Sequence, residues 1–342
     1  SPIPPTRPSP LNFCVIDIIP CSHPYKCAFL RRTSSPLNDL RLQDSGEQTG
    51  SRGRLFFLYL IKDLCVALDS SFYVRFWGVR GSIASPGPET AIYGGNTPCV
   101  EIYCGSQLLI FDAGTGLRSL GKLIDKNGVN DVDLFLSHTH AEHIVGLPFF
   151  SYAYKPGNTL RIWSGHLESD KTTESVLRQS MANPLFPVSV DIFSADVSYH
   201  DFKAGETLTL NKDITLRTTM LNHPQNATGY RVEFDGKSIC YVTDTEQFED
   251  GPDRNILALI DGADIVIYDS MFTDAEYPDY KGWGHSTWEE GARLCAEANV
   301  GTFVVFHHLP ERTDADLDVI AGAVDKMWPG SLVAREGMQL AP

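Results

Sequence analysis

The stretch that decides the fold is Ser137-His138-Thr139-His140-Ala141-Glu142-His143. It follows the apolar run 132–136, which predicts a strand, and precedes the helix-like residues 144–149. Three imidazoles and a carboxylate within six residues, at the end of a strand, direct several metal-binding groups to one place. Neutral imidazole and carboxylate suit zinc, manganese or iron. The alternative is a solvated histidine-rich loop, and residues further along the chain argue against it.

Three more ligand-capable positions also lie where predicted strands end. His223 follows strand 214–218, Asp244 follows strand 238–242, and His307 and His308 follow strand 303–306. A lone histidine of this kind is more often structural or exposed. Three such positions at strand ends, together with the cluster at 138–143, indicate the remaining ligands of a metal site.

The rest of the chain supports a mixed architecture. Apolar strands alternate with glycine-rich turns and helical segments from residue 72 onwards. Predicted strands cover residues 73–79, 100–103, 108–111, 134–136, 160–163, 214–218, 230–234, 238–242, 265–268 and 303–306. Predicted helices cover residues 116–126, 170–181, 254–260, 287–298 and 313–327. Many strands with helices inserted between them predict an α/β (α+β) fold of two sheets sandwiched by helices.

Composition excludes some classes of protein. The 342 residues carry a net charge of −15, which argues against broad capture of nucleic acid, since phosphate binding normally needs a basic face. The sequence contains no stretch of about 18 uncharged apolar residues, so we expect no membrane span. The eight cysteines are scattered and form no CxxC pair, which favours a reducing compartment and a cytoplasmic location. Residues 1–70 lack periodicity and begin with a proline-rich run, so we expect an extension, loosely structured or packed on the main domain.

The combined pattern resembles the metallo-β-lactamase superfamily, whose signature is His-x-His-x-Asp-His followed by a separate His, Asp and His. The resemblance covers residues 73–342 and implies a four-layer αββα sandwich for the domain 71–342. The segment Gly284-His285-Ser286-Thr287 is similar to the branch that contains ribonuclease Z and cyclic phosphodiesterases. The opening RFWGVRGS at residues 75–82 resembles phosphodiesterase-like members of that branch.

The resemblance implies a role for each ligand. His138, His140 and His223 would hold one divalent ion, and Glu142, His143 and His308 a second, with Asp244 bridging the two. His308 is preferred to His307 because Arg312 stands four residues after it, as an arginine does in ribonuclease Z. The ions are expected to be zinc, with manganese or iron as alternatives.

Further roles concern residues around the ions. His285 would donate a hydrogen bond or proton toward the phosphate or leaving oxygen, and its alternative is a helix-start histidine before an N-cap at Ser286. Asp112 could orient a ligand histidine from outside the ligand set. The candidate aromatic walls of a substrate pocket, with ordinary packing or surface exposure as the alternative, are Tyr93, Phe248, Tyr277, Tyr280 and Trp283. Glu142 replaces the aspartate of the signature. We therefore expect that the fold and the first metal site are kept and that occupancy of the second metal site is the property at risk.

The function that the resemblance implies is a metal-dependent phosphodiesterase acting on a small or cyclic phosphodiester through a metal-bridging hydroxide. Its catalytic residues would be His285, Asp244 and Glu142. Three alternatives stay open: a transfer-RNA 3′-processing nuclease, a hydrolase of a lactone, β-lactam or thioester, and a non-catalytic sensor with an impaired second metal site. The expected partner is the small substrate, with no strong nucleic-acid binding and no membrane. A homodimer is compatible with the resemblance.

Overall fold

A computed structural model describes residues 71–342, which contain two seven-stranded sheets. The first sheet has the order β14-β1-β2-β3-β4-β5-β6, and the second has the order β13-β12-β11-β10-β9-β8-β7. The strands are β1 (Phe72–Gly78), β2 (Cys99–Cys104), β3 (Gln107–Phe111), β4 (Asp131–Leu136), β5 (Thr159–Ser164), β6 (Asp196–Asp201), β7 (Thr207–Asn211), β8 (Ile214–Leu221), β9 (Ala227–Phe234), β10 (Lys237–Val242), β11 (Ile265–Asp269), β12 (Thr302–Phe306), β13 (Leu332–Val333) and β14 (Gln339–Leu340).

Six α-helices lie between and after these strands. They are α1 (Leu117–Asn127), α2 (Ala141–Ile144), α3 (Thr173–Ser180), α4 (Arg254–Ile260), α5 (Trp288–Glu297) and α6 (Asp314–Met327). The N-cap of α5 is Thr287, whose side chain accepts from the backbone N–H of Glu290, so the expectation of a cap at Ser286 is wrong. At α6, Thr313 and Asp316 form a reciprocal capping box.

Three apolar cores separate the layers. One core lies between the two sheets and joins residues such as Phe76 and Phe111 of the first sheet to Tyr241 and Phe306 of the second. A second core joins the second sheet to α4, α5 and α6, and a third joins the first sheet to α1. The layer order is therefore helix, sheet, sheet, helix, which confirms the predicted αββα sandwich.

Strand composition follows position in the sandwich. In β1, buried residues alternate with half-buried ones along all seven positions, as expected for a strand with one face in the core. In β11, all five residues are buried because the strand has parallel neighbours on both sides and is covered on both faces. Such strands read as continuous apolar runs in the sequence.

The predicted strands and helices are confirmed, with shifts of a few residues at their ends. Four strands had no prediction: β6, β7, β13 and β14, which are the outer strands of the two sheets. The helix-like run 144–149 is only the end of α2 and a separate 3-10 turn at Leu147–Phe149. The extension 1–70 lies outside the described residues. Among the helices that the structure describes, none has the length and apolarity needed to cross a membrane.

Candidate metal centre

Metal-binding side chains meet at one edge of the sandwich, where strands of both sheets end. In the first sheet, parallel β3 and β4 are followed by Asp112 and by residues 137–143. In the second sheet, β8, β10, β11 and β12 run in one direction, so their carboxyl ends lie at the same edge. The residues at or just after those ends are His223, Asp244, Asp269 and His307.

The first group of ligands is His138, His140 and His223. Each offers one ring nitrogen, and these nitrogens lie within 4.8 Å of one another. Nε2 of His223 is 3.2 Å from Nδ1 of His140. Three imidazoles converging in this way match the nitrogen donor set of a zinc-type ion. The structure therefore brings together the three residues expected to hold one metal.

Asp244 lies between this group and a second one. Its Oδ1 atom is 3.8 Å from Nε2 of His138 and 3.7 Å from Nε2 of His223. Its Oδ2 atom is 3.2 Å from Nε2 of His143 and 3.2 Å from Nε2 of His307. Each carboxylate oxygen thus faces a different pair of histidines, which is the geometry that a bridging ligand requires.

His307, and not His308, belongs to the second group. His308 donates from Nε2 to the carbonyl oxygen of Ala334 at 2.7 Å and packs edge-on against Tyr93. Nε2 of His307 lies 3.2 Å from Oδ2 of Asp244, whereas Nε2 of His308 is bound to Ala334, so only His307 faces the site. The preference for His308 is therefore wrong. Arg312, on which it was based, instead pairs with Glu276.

Buried atoms without partners indicate that the cluster fits a metal. Within residues 71–342, the buried atoms that have no hydrogen-bond partner include Nε2 of His138, Nε2 of His143, Oδ1 of Asp244 and both ring nitrogens of His307. Buried polar atoms are nearly always paired, because leaving one unpaired costs roughly 1–3 kcal/mol. Nε2 of His138, His143 and His307 all face the Asp244 carboxylate, and a coordinated cation would satisfy them.

Glu142 borders the second group from α2. Its Oε1 atom lies 4.0 Å from Nε2 of His143, and 13% of its side chain is exposed. The ligand atoms that group most closely around Asp244 do not include this carboxylate. Glu142 is therefore near enough to complete the second group, but it is held less closely than the histidines and Asp244.

Burial and mutual charge set the protonation of these groups. Burial and the neighbouring His143 hold the pKa of His138 well below its usual range, and burial lowers the pKa of His307 to about 3. Burial would raise the pKa of Asp244, but His307, His143 and His138 together lower it well below its usual range. Neutral imidazole and ionised carboxylate are the forms that bind a cation.

Asp112 orients the second group from beneath, as the sequence predicted. Its carboxylate accepts hydrogen bonds from Nδ1 of His143 at 2.8 Å and from the backbone N–H and hydroxyl of Ser137 at 2.7 and 2.8 Å. The hydroxyl of Tyr241 donates to it at 2.8 Å. Because Nδ1 of His143 donates to Asp112, Nε2 is the ring nitrogen left to bind an ion, and it faces Asp244. Burial alone would lower the pKa of His143, but the Asp244 and Asp112 carboxylates raise it well above its usual range.

A second orienting chain fixes His223. Nδ1 of His223 donates to the carbonyl oxygen of Gly284 at 2.8 Å. The backbone N–H of Gly284 donates in turn to Glu246 at 2.8 Å, and Gly282 donates to the same carboxylate at 2.7 Å. Sequence reasoning did not assign Glu246. Its carboxylate holds the loop whose carbonyl determines which nitrogen of His223 faces the site.

His285 lies beside the metal ligands and pairs with Asp269. Its Nδ1 atom is 2.9 Å from Oδ2 of Asp269 and 3.9 Å from Oδ1 of Asp244, and its ring stacks on His307 at 5.1 Å. Burial lowers the pKa of His285, but the Asp269 and Asp244 carboxylates outweigh it and raise the pKa to about 9. His285 is thus a charged donor in the metal-free protein.

Besides Glu246, two residues of the site went unrecognised in the sequence. Asp269 ends β11 directly after four apolar residues, and this strand-end position is the signal that could have identified it. Gln225 contacts Nε2 of His140 through its side-chain oxygen at 2.9 Å. It lies two residues after His223 with a positive φ of 60°, and no spacing rule predicts it.

The fold and the ligand cluster define an αββα sandwich with a candidate metal centre at one edge. A family model, the Beta-lactamase superfamily domain, matches residues 108–308, more than half of the chain. The chain therefore belongs to this superfamily.

Known proteins similar to the chain include enzymes of RNA metabolism. The ribonuclease Z of Archaeoglobus fulgidus is 23% identical over 327 residues, covering 79% of this chain and 97% of the relative. The metallo-β-lactamase fold protein YhfI from Bacillus subtilis superposes with a TM-score of 0.60 at 18% identity, covering 79% of this chain and 99% of YhfI. Human tRNase Z, short form, has a TM-score of 0.56 at 17% identity, covering 79% of this chain and 98% of that protein.

These similarities correct the expectation about partners. The prediction of a small substrate without strong nucleic-acid binding is wrong, because the curated relatives are ribonucleases that match over nearly their whole length. The prediction relied on the net charge of the whole chain. Net charge does not describe the field at a single site, where bound divalent cations would reverse the local sign.

Proposed function

We propose that the chain is a metal-dependent phosphodiesterase that cleaves RNA, of the ribonuclease Z type. The observation that carries the proposal is the position of Asp244, whose two oxygens face two groups of histidines with His285 alongside. Support for RNA as the substrate comes from the full-length match to ribonuclease Z.

The proposed ligands form two sets that share one residue. His138, His140 and His223 would hold the first ion, His143, His307 and Glu142 would hold the second, and Asp244 would bridge them. We propose zinc, with manganese or iron as alternatives, because histidine and carboxylate accept all three. When bound, two such ions would lower the pKa of a water to about 7 and neutralise charge that develops on phosphoryl oxygens.

The residues of the chain would contribute orientation and a proton. The hydrogen bond from Nδ1 of His285 to Asp269 directs the other ring nitrogen away from that carboxylate, so Nε2 is available to donate toward a phosphate or leaving oxygen. Asp269 also accepts from the backbone N–H of Thr245 and Met271, which fixes the orientation of the carboxylate. Asp112 and Gly284 keep Nδ1 of His143 and His223 protonated, leaving Nε2 for the metals.

A cleavage assay with several substrates tests the proposal. The zinc- or manganese-loaded protein is given a transfer RNA with a 3′ extension, an unstructured RNA, bis-p-nitrophenyl phosphate, a lactone and a cephalosporin. We expect cleavage of RNA that is lost on chelation. Turnover of the lactone or cephalosporin alone would establish a carbonyl hydrolase instead, and turnover of the small diester alone would overturn RNA as the substrate.

A variant control separates catalysis from metal loading. His285→Asn should keep both ions because His285 is outside the proposed ligand sets, yet it should lower kcat about 10²–10⁴-fold, the usual contribution of a positioned proton donor. Full metal content together with unchanged kcat would remove His285 from the mechanism. No turnover of any substrate under either metal would favour the non-catalytic sensor.

A further inference from the structure

One tryptophan beside the metal centre is left largely in water. Trp283 is 63% exposed, although it immediately precedes Gly284 and His285 in the chain. Single exposed apolar side chains are common on protein surfaces and carry no meaning alone. Val319 and Met327 on α6 are examples, at 74% and 55% exposed. Trp283 differs from them in how it is supported.

A row of aromatic rings connects Trp283 to the site. Its ring meets Tyr280 edge-on at 5.3 Å, and Tyr280 stacks on buried Phe272 with 4.3 Å between ring centroids and 10° between planes. Phe272 in turn lies 6.3 Å from the ring of His285. The exposed indole is therefore the outer end of a packed row whose inner end touches the proposed proton donor.

The backbone on both sides of Trp283 is held in place. Gly282 and Gly284, its two neighbours, both donate to the Glu246 carboxylate, and the N–H of Trp283 donates to the carbonyl oxygen of Tyr280 at 3.1 Å. The Gly284 carbonyl accepts from the metal-facing His223. The backbone that carries the indole is thus coupled to the loop that orients His223, so a ligand that binds the indole has little backbone to order.

We propose that Trp283 stacks on a nucleobase of the RNA substrate, next to the phosphate that is cleaved. This inference rests on the proposed function and names the residue that would recognise the nucleotide. An aromatic face accepts any base, because every base presents a π-surface and stacking needs no specific hydrogen bond. The acidic chain would thereby gain affinity for RNA through stacking near the site rather than through a basic surface.

A comparison of two RNA substrates that differ only in their bases tests the stacking directly. One RNA carries normal bases around the cleaved phosphate, and the other has abasic ribose at those positions. Trp283→Ala should raise KM about tenfold on the normal RNA, with kcat little changed, as expected for the loss of one stacked base. It should leave KM on the abasic RNA unchanged. Trp283→Phe should recover most of the affinity because it restores an aromatic face.

A matched control is Met327→Ala. Met327 is also an exposed apolar residue. It is the last residue of α6, a helix of 14 residues that begins at Asp314 and is about 20 Å long. This variant should behave as wild type on both RNAs. An equal rise in KM on normal and abasic RNA would mean that Trp283→Ala only disturbs the loop, and no rise on either would equally overturn the inference.

Binding separates failure of this inference from failure of the proposed function. If the wild-type protein cleaves neither RNA, ribonuclease activity is wrong, and affinity for the same labelled RNAs is measured by fluorescence anisotropy with zinc-loaded protein. Weaker binding of normal RNA by Trp283→Ala than by wild type, with no difference on abasic RNA, supports stacking without cleavage. Equal binding by both proteins overturns the stacking.

Discussion

The Oδ2 atom of Asp244 lies 3.2 Å from Nε2 of His307, and both residues follow strands of the second sheet that are separated by β11. Both also have positive φ angles, 55° for Asp244 and 61° for His307. A left-handed backbone at a residue other than glycine costs about 1–3 kcal/mol and persists only where its surroundings hold it. Its occurrence at both members of one facing pair supports a functional role for this contact.

Replacing His307 should remove the second of the two proposed ions. We expect His307→Ala to retain at most one divalent ion per chain, since Asp244 and His143 would lose the ligand opposite them. Activity should fall by more than about 100-fold, because even residues that merely orient metal ligands contribute 10–100-fold. Metal content of the purified variant and its kcat measure the effect.

His308→Ala is the matched comparison at the adjacent position. It removes the donor to the buried carbonyl of Ala334, so the free energy of unfolding should fall by about 1–3 kcal/mol while both ions remain. Urea unfolding and metal analysis give the two quantities. Loss of an ion from the His308 variant, with full loading of the His307 variant, would contradict the assignment.

We expect Glu142 to set how strongly the proposed second ion is held. The Glu142→Asp variant restores the residue type of the family signature and shortens a side chain that lies 4.0 Å from Nε2 of His143. Metal ligands must hold their distances to about 0.2 Å, so we expect the affinity for the second ion to differ between the two proteins while the first is unaffected. Competitive titration with a zinc chelator measures both affinities. Equal, full two-metal loading of both proteins would refute the idea.

The inner strands could be predicted from sequence, and the outer strands could not. Strands such as β11 and β12 are apolar along most of their length because they are covered on both faces. By contrast, β6 reads Asp-Val-Ser-Tyr-His-Asp with no buried residue, and β13 and β14 have two residues each. These edge strands form because a neighbouring strand pairs with them. That pairing is a tertiary effect and leaves little trace in the local sequence.

The metal site likewise contains residues that could be predicted from the sequence and residues that could not. The cluster at 138–143 and the strand-end positions His223 and Asp244 have a local signature, so they could be predicted. Choosing between His307 and His308 required knowing which of two adjacent side chains faces the sheet edge, and an analogy with Arg312 gave the wrong answer. The Asp112–Tyr241 contact joins residues 129 positions apart, and no sequence pattern encodes it.

Asp112 should control the protonation of a metal ligand. In Asp112→Asn, an amide N–H₂ replaces one carboxylate oxygen. If it faces His143, it cannot accept from Nδ1, so the neutral imidazole must carry its proton on Nε2, the atom proposed to bind the second ion. We expect the affinity for the second ion to fall about 10–100-fold. Isothermal titration of zinc into the metal-free protein gives the value.

Tyr241→Phe provides the control for Asp112. It removes a hydroxyl that donates to the same Asp112 oxygen but leaves the His143 contact intact. The free energy of unfolding should fall by about 1 kcal/mol, and the affinity for zinc should not change. If both variants weaken zinc equally, the effect arises from general loosening beneath the site and not from the protonation of His143.

Glu246 should act on the first ion through the backbone of the loop that carries His285. Its carboxylate accepts from Gly282 and Gly284, and the Gly284 carbonyl holds Nδ1 of His223. In Glu246→Gln, an amide donor would face one of these backbone donors, so the loop must move and the His223 imidazole loses its fixed orientation. We expect the affinity for the first ion to fall about 10–100-fold, with the second ion less affected.

The control for Glu246 is Glu249→Gln on the same segment. Glu249 has the same chemistry, but it pairs only with exposed Lys281 at the surface, where an ion pair contributes little. Zinc affinity of this variant should equal that of wild type. Cobalt substitution adds a second measurement, because the ligand field of the first ion should change in the Glu246 variant alone. An unaltered cobalt spectrum and unaltered zinc affinity in Glu246→Gln would show that the loop positions His223 without this carboxylate.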